Sequence, residues 1–145
     1  MKGAPAKRAM KKLAAEGKAR GIIACADGEP VAWSTFGPRT DFPRLQRVKA
    51  YQVDDAAGVW SVPCFYIKPA WRGKNLSSMV LERALLKAGK CGAKIMEVYP
   101  VTKTKTGGEL PAAFSWTGPE AIFLKQGFKE TARKAAGRPL YRKVL

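Results

Sequence analysis

Residues 64–101, "CFYIKPAWRGKNLSSMVLERALLKAGKCGAKIMEVYPV", contain the pattern that decides the fold. They begin inside an aromatic and β-branched run, residues 59–69, that is typical of a strand. Apolar residues then recur at helical spacing over residues 76–90, and residues 92–101 again resemble a strand. Strand, tight turn, helix and strand in this order predict a right-handed crossover between neighbouring parallel strands. Pro63 cannot donate to a strand ladder, so we expect the sheet to open there.

The junction before the helix has the chemistry of an anion site. Backbone N–H groups at a helix start lack intrahelical partners and carry the positive end of the helix dipole, and here Arg72 and Lys74 add two cations. Gly73 permits close approach of a ligand to the backbone, and Asn75 tolerates a left-handed conformation. This combination suits a pyrophosphate. The pattern alone leaves open a basic strand-to-helix turn that binds no ligand.

Composition limits the classes of protein that need to be considered. The chain has 145 residues, 46% of them hydrophobic, which predicts one domain over residues 1–145. Its 27 Lys and Arg against 11 Asp and Glu give a net charge of +16, which predicts an anionic partner. The three cysteines are far apart and no histidine is present, so neither a disulfide framework nor a metal site is expected. No apolar run is long enough to span a bilayer, and we expect a cytoplasmic protein.

The remaining segments complete an α/β pattern. Residues 6–16 predict a short basic helix with a solvated face, and residues 21–37 predict a hairpin around the turn residues 27–30, Asp-Gly-Glu-Pro. Residues 38–58 lack clear periodicity and are expected to form a surface excursion with one helical turn. Residues 117–126 favour a second helix, and two terminal strands are expected on either side of Gly137.

Several of these segments together resemble the GNAT superfamily of acetyl-CoA-dependent N-acyltransferases. The family signature is Arg or Gln, two residues, Gly, one residue, then Gly or Ala; here Arg72 matches, whereas Asn75 and Ser77 replace the two small residues. "GEPVAWSTFGPR" and "AIFLKQGFKETAR" are similar to the paired strands before this core and to the closing helix with its Gly-Phe pair. The resemblance implies a mixed α/β fold, with a central splayed β-sheet flanked by helices. Family members usually begin with a strand and two helices, whereas one helix precedes the strand at Gly21 here, so we expect a shortened N-terminal region.

The resemblance also implies a cofactor, acetyl-CoA, and the residues that bind it. The opened strand would pair with the pantetheine through its backbone, and the turn would bind the pyrophosphate. The residues concerned are Phe65, Tyr66, Ile67, Arg72, Gly73, Lys74, Asn75, Leu76, Ser77 and Ser78. Many family members carry a Tyr that protonates the leaving thiolate, and Phe123 stands at that position here.

An amine acceptor must lose a proton, and a chain without histidine needs another base. Glu97 and Tyr99 lie on the same side of the strand beside the expected cleft, and we predict that they handle this proton. The alternative is structural: Glu97 pairs with a nearby Lys or Arg, and Tyr99 belongs to the core.

Two functions fit these observations. The first is an N-acetyltransferase in which a small-molecule or peptide amine attacks acetyl-CoA directly in a ternary complex. The second is a non-catalytic basic protein on the same scaffold that binds nucleic acid or another polyanion. The cations are scattered rather than interleaved with aromatic residues, which favours the enzyme. The short N-terminal region also makes a homodimer a possible assembly.

Overall fold

The computed structural model describes residues 3–100, 120–134 and 139–145. Four α-helices and six strands are found within these ranges. In chain order they are α1 (Ala4–Ala15), β1 (Gly21–Ala26), β2 (Glu29–Pro38), α2 (Pro43–Arg47), β3 (Trp60–Ile67), α3 (Leu76–Lys90), β4 (Ile95–Val98), α4 (Glu120–Lys125), β5 (Lys129–Ala132) and β6 (Leu140–Val144).

The six strands form one mixed sheet in the order β1-β2-β3-β4-β6-β5. The β3–β4 pair is parallel and is joined through α3, as predicted, while the other neighbouring pairs are antiparallel. The β1–β2 hairpin turns at Asp27 and Gly28, both with positive φ. The mixed α/β fold that the sequence predicted is therefore confirmed. Residues 117–119 and Gly137, which also carried predictions, lie outside the described residues.

One face of the sheet carries the larger apolar core. Helix α3 has the bounds that its periodicity predicted and buries one stripe of its surface: Val80, Leu81, Ala84, Leu85 and Ala88. This stripe packs in one cluster with residues of the sheet and of α4, among them Phe36, Val62, Met96, Val98 and Phe123. Burial of this amphipathic face fixes the start of α3 relative to the end of β3.

The opposite face of the sheet is covered by the connection between β2 and β3. Side chains alternate along β4, so Met96 and Val98 belong to the α3 core while Tyr99 belongs to a second cluster with Leu45, Tyr51 and Leu140. The prediction that residues 38–58 form a surface excursion is therefore wrong in part. The segment contains helix α2 and three 3₁₀ turns, but it buries Arg39, Leu45 and Tyr51 against the sheet.

Helix α1 lies outside both clusters. It covers Ala4–Ala15, close to the predicted range, and buries none of its residues. None of the helices within the described residues has the length and apolar character needed to cross a membrane.

Candidate functional site

The sheet opens between its two parallel strands. Strands β3 and β4 pair only at Trp60 with Met96 and at Ser61 with Glu97. Beyond Ser61, β3 continues to Ile67 and stays paired with β2, but no described strand pairs with its other side. Its backbone groups on that side are available to an extended ligand, which can pair with them as an added strand does. The predicted opening near Pro63 is therefore present.

The junction after β3 forms an uncapped helix start. A 3₁₀ turn at Pro69–Trp71 leads into Gly73 with φ 75° and Asn75 with φ 64°, both in the left-handed region. The Asn75 side chain makes no capping hydrogen bond, and α3 begins at the next residue. The first N–H groups of α3 lack intrahelical partners, so they form a cluster of donors at the positive end of the helix dipole.

The left-handed conformation at residue 75 gives a stability prediction. Replacing Asn75 with Ala should yield a protein about 1 kcal/mol less stable than one with Gly at the same position, because a Cβ is strained at positive φ. Urea denaturation of the two variants side by side measures the difference. Equal stabilities would show that residue 75 does not adopt this conformation in solution.

Two exposed cations flank this junction. Arg72 donates from Nε to the carbonyl oxygen of Ile67 at 3.2 Å, which ties the turn to the end of β3. The Lys74 ammonium lies 4.9 Å from the centroid of the Trp71 ring. Both contacts hold positive charge beside the uncapped N–H groups of α3.

A surface groove begins at the first turn of α3. Gln126, just after α4, donates from Nε2 to the carbonyl oxygen of Ser78 at 2.8 Å and joins the two helices there. The groove has a volume of about 1060 Å³ and runs between α3, the end of α4 and the end of β6. Its charged side chains within the described residues are three lysines and one carboxylate: Lys90, Lys125, Lys143 and Glu82.

A second cavity, of about 410 Å³, lies on the other face of the sheet beside the opened part of β3. Pro63 and Cys64 of β3 and Tyr99 form its floor. Its remaining lining comes from α1, β2 and the connection that contains α2: Met10, Thr35, Phe42, Pro43, Arg44, Leu45, Arg47 and Tyr51. Burial raises the pKa of the Cys64 thiol, and the charge of Arg44 opposes that shift.

Glu97 lies fully buried in a network of charged and polar groups. Its Oε1 accepts hydrogen bonds from Arg39 Nε and from the Tyr99 hydroxyl, both at 2.7 Å. Its Oε2 accepts from Arg142 Nε at 2.8 Å. The Ser61 hydroxyl lies 2.7 Å from the Tyr99 oxygen, and Arg142 also forms two hydrogen bonds with Asp55. The ion pair that the sequence left open as the alternative for Glu97 is thus present, and a role as base stays a prediction.

Tyr99 connects this network to the cavity. It is 1% exposed, lines the cavity and donates a hydrogen bond from its hydroxyl to Glu97 Oε1. Burial and, next, the charge of Glu97 raise the pKa of Tyr99 well above its ordinary value. The phenol therefore keeps its proton at neutral pH. It can donate a hydrogen bond, but it does not act as a phenolate base.

Phe123 is fully buried in the α3 core. Its ring centroid lies 5.9 Å from that of Phe65 on β3 and 5.8 Å from that of Phe128. The contact with Phe65 places this residue beside the opened strand, but its side chain has no proton to give a leaving group.

The structure divides the predicted site residues into two groups. Phe65, Tyr66 and Ile67 run directly into the junction that holds Arg72 and the residues up to Ser78, whereas Glu97 and Tyr99 lie on the face with the second cavity. Sequence reasoning missed Arg39, Arg44, Ser61 and Arg142. The alternation of Ser61 with Val62 on a strand indicated which face Ser61 occupies. Arg39 and Arg44 lie in a segment without periodicity, and Arg142 is 45 positions from Glu97, so the sequence pattern does not indicate their partners.

Comparison with known proteins gives a consistent picture. Residues 3–106 match the model of the acetyltransferase (GNAT) family. No curated protein matches the chain. Among solved structures, an N-acetyltransferase from Staphylococcus aureus Mu50 is similar at a TM-score of 0.67 and 12% identity, covering 99% of this chain and 78% of that one.

Two further similar structures were solved with a coenzyme. The structure of yncA from Salmonella typhimurium with its cofactor acetyl-CoA has a TM-score of 0.64 and 15% identity, over 100% of this chain and 75% of that one. The PaiA N-acetyltransferase from Thermoplasma acidophilum in complex with coenzyme A has a TM-score of 0.57 and 12% identity, over 100% of this chain and 81% of that one. At these identities the likeness to solved structures concerns the fold.

Proposed function

The chain belongs to the acetyltransferase (GNAT) family and is an acetyltransferase, and we propose that it transfers the acetyl group of acetyl-CoA directly to a primary amine. The observation that carries this proposal is the separation of β3 from β4 immediately before an uncapped helix start. The opened strand can pair with the amide-bearing pantetheine arm of coenzyme A, and the cluster of N–H donors that follows it can bind the pyrophosphate.

In this proposal the coenzyme lies along β3 and across the start of α3. Backbone groups of Phe65, Tyr66 and Ile67 pair with the pantetheine, and the N–H groups of residues 72–78 bind the pyrophosphate. Arg72 and Lys74 add charge to that end of the site. The groove that starts at Ser78 contains three lysines, which suit the phosphate on the adenosine end of the coenzyme.

The acceptor enters from the other face. The cavity beside Cys64 adjoins the opened part of β3, so an amine there can reach a thioester carried along that strand. The amine nitrogen forms a bond to the acetyl carbon while the bond from that carbon to sulfur breaks, and the thiolate leaves. A backbone N–H near Phe65 steadies the oxyanion formed on the way. No covalent enzyme intermediate is required.

Proton handling in this proposal uses Tyr99 and Glu97. The Tyr99 hydroxyl lies between the Ser61 hydroxyl and the Glu97 carboxylate. A proton released by the amine can pass to the carboxylate through such a chain, because each step exchanges one hydrogen bond for another. Arg39 and Arg142 also bind the two carboxylate oxygens, so Glu97 has a structural role in addition to the proposed one.

Acetyl-CoA is expected to stabilise the protein and to release a free thiol when a suitable amine is present. At a concentration about a hundredfold above the dissociation constant, the melting temperature should rise by roughly 5–10 °C. Thermal unfolding measures the shift, adenosine is the control ligand, and a thiol-reactive dye follows turnover over a panel of amines. No shift at millimolar acetyl-CoA would overturn the proposal.

A further inference from the structure

The cavity beside Cys64 is lined by apolar residues and by two arginines, which is an unusual lining for a site that binds an amine. Its apolar surface comes from Met10, Phe42, Leu45 and Tyr51, and its volume of about 410 Å³ suits a small molecule. The charged residues among its described lining are Arg44 and Arg47, and no acidic side chain is among them. An acceptor with several positive charges would meet repulsion close to these two arginines.

The two arginines belong to the same face of the short helix α2. They are three residues apart, which makes them neighbours on a helical surface, and both are exposed at the cavity. Guanidinium groups bind carboxylates through paired hydrogen bonds, which selects for planar anionic groups more strongly than an ammonium does.

Arg44 lines the same cavity as Cys64 of β3. Its charge lowers the pKa of the Cys64 thiol against the effect of burial, so its field reaches β3 where the strand has left β4. Arg44 and Cys64 line the same cavity, so an anion bound by Arg44 would lie close to the strand that carries the thioester.

We infer that the acceptor is an amine with a carboxylate near the amino group and an apolar side chain, the chemistry of a hydrophobic α-amino acid. Arg44 and Arg47 determine this specificity by binding the carboxylate, and the apolar wall receives the side chain. The inference rests on the proposed acetyl transfer for its reaction, but the selectivity of the cavity can be measured without turnover.

The deciding comparison is between L-phenylalanine and its neutral amide as acceptors. More of the amide carries an unprotonated amine at neutral pH, so a preference for the acid cannot come from amine basicity. We expect kcat/KM to favour the acid by about tenfold or more, as expected of a charge-assisted hydrogen bond. Arg44→Gln combined with Arg47→Gln should abolish the preference, and the corresponding double Lys variant should retain part of it.

The matched control is Arg8→Gln combined with Arg83→Gln. This variant has the same net charge as the double Gln variant in the cavity. Because both arginines are exposed and absent from the described cavity lining, it should keep the preference for the acid. A preference for the amide, or a preference for the acid that survives the double Gln substitution in the cavity, would overturn the inference.

A second measurement separates this inference from the proposed transfer. Calorimetry compares binding of N-acetyl-L-phenylalanine with binding of its amide to the wild-type protein and to the same variants. If the protein failed to bind acetyl-CoA, the proposed function would fall, but tighter binding of the acid that depends on the two arginines would still support the selectivity of the cavity. Equal binding of the two ligands would refute it.

Discussion

Replacing Glu97 with Ala is expected to lower the free energy of unfolding by about 3–5 kcal/mol, because it leaves a buried cation without its counter-ion. Arg39 is 1% exposed and donates to Glu97 at 2.7 Å, and the same carboxylate accepts from Tyr99 and Arg142. Arg39 also donates to the carbonyl oxygen of Tyr51, so the loss would disturb the connection that covers this face. Chemical denaturation followed by tryptophan fluorescence measures the change.

Glu29→Ala is the matched control for this prediction. Glu29 is also paired with a cation, Lys68 at 3.6 Å, but its side chain is 76% exposed. Its loss should change stability by no more than about 0.5 kcal/mol, as expected of an exposed ion pair. If the two substitutions had similar effects, the buried network would not be a major source of stability.

A double substitution separates the structural role of Glu97 from a catalytic one. Glu97→Met with Arg39→Met removes both buried charges of the 2.7 Å pair, and we expect it to recover part of the stability lost in Glu97→Ala. Turnover of the folded double variant is then informative. A large fall in kcat with an altered pH profile would support Glu97 as the base, whereas unchanged kcat across neutral pH would leave it a structural role alone.

The sequence predicts the strand, turn and helix of residues 59–90 well, because local signals determine them. The periodicity of residues 76–90 defines α3, and Asp27 with Gly28 defines the hairpin. Asn75 follows a basic turn, and its tolerance of the left-handed region is a property of the residue itself. Each of these features depends on neighbours a few residues away, so a linear pattern contains them.

The face of the sheet with the second cavity depends on contacts between distant parts of the chain. Arg39 and Glu97 are 58 positions apart, and Glu97 and Arg142 are 45 apart. The connection between β2 and β3 shows neither helical nor alternating periodicity, because it buries single residues between short turns. A segment of this kind resembles a surface loop in sequence, and only the fold reveals that it forms the wall of a cavity.

Removing both cations of the α3 junction is expected to weaken acetyl-CoA binding by about 100-fold, because each contributes a charge-assisted contact to the pyrophosphate. The variant is Arg72→Ala with Lys74→Ala. Its fold should persist, since both side chains are exposed and the Arg72 side chain makes a single hydrogen bond within the described residues, to the Ile67 carbonyl. Calorimetry at several salt concentrations measures the dissociation constant and its salt dependence.

The control is Arg83→Ala with Lys87→Ala, which removes the same charge from exposed positions farther along the same helix. We expect it to change the dissociation constant by less than about threefold, because screening at physiological salt limits the reach of exposed charges to about 8 Å. The backbone donors at residues 76–78 remain in both variants, so the junction variant should still bind at high coenzyme concentration. If the two double variants weakened binding equally, affinity would follow net charge rather than position, and the start of α3 would lose its assignment as the pyrophosphate site.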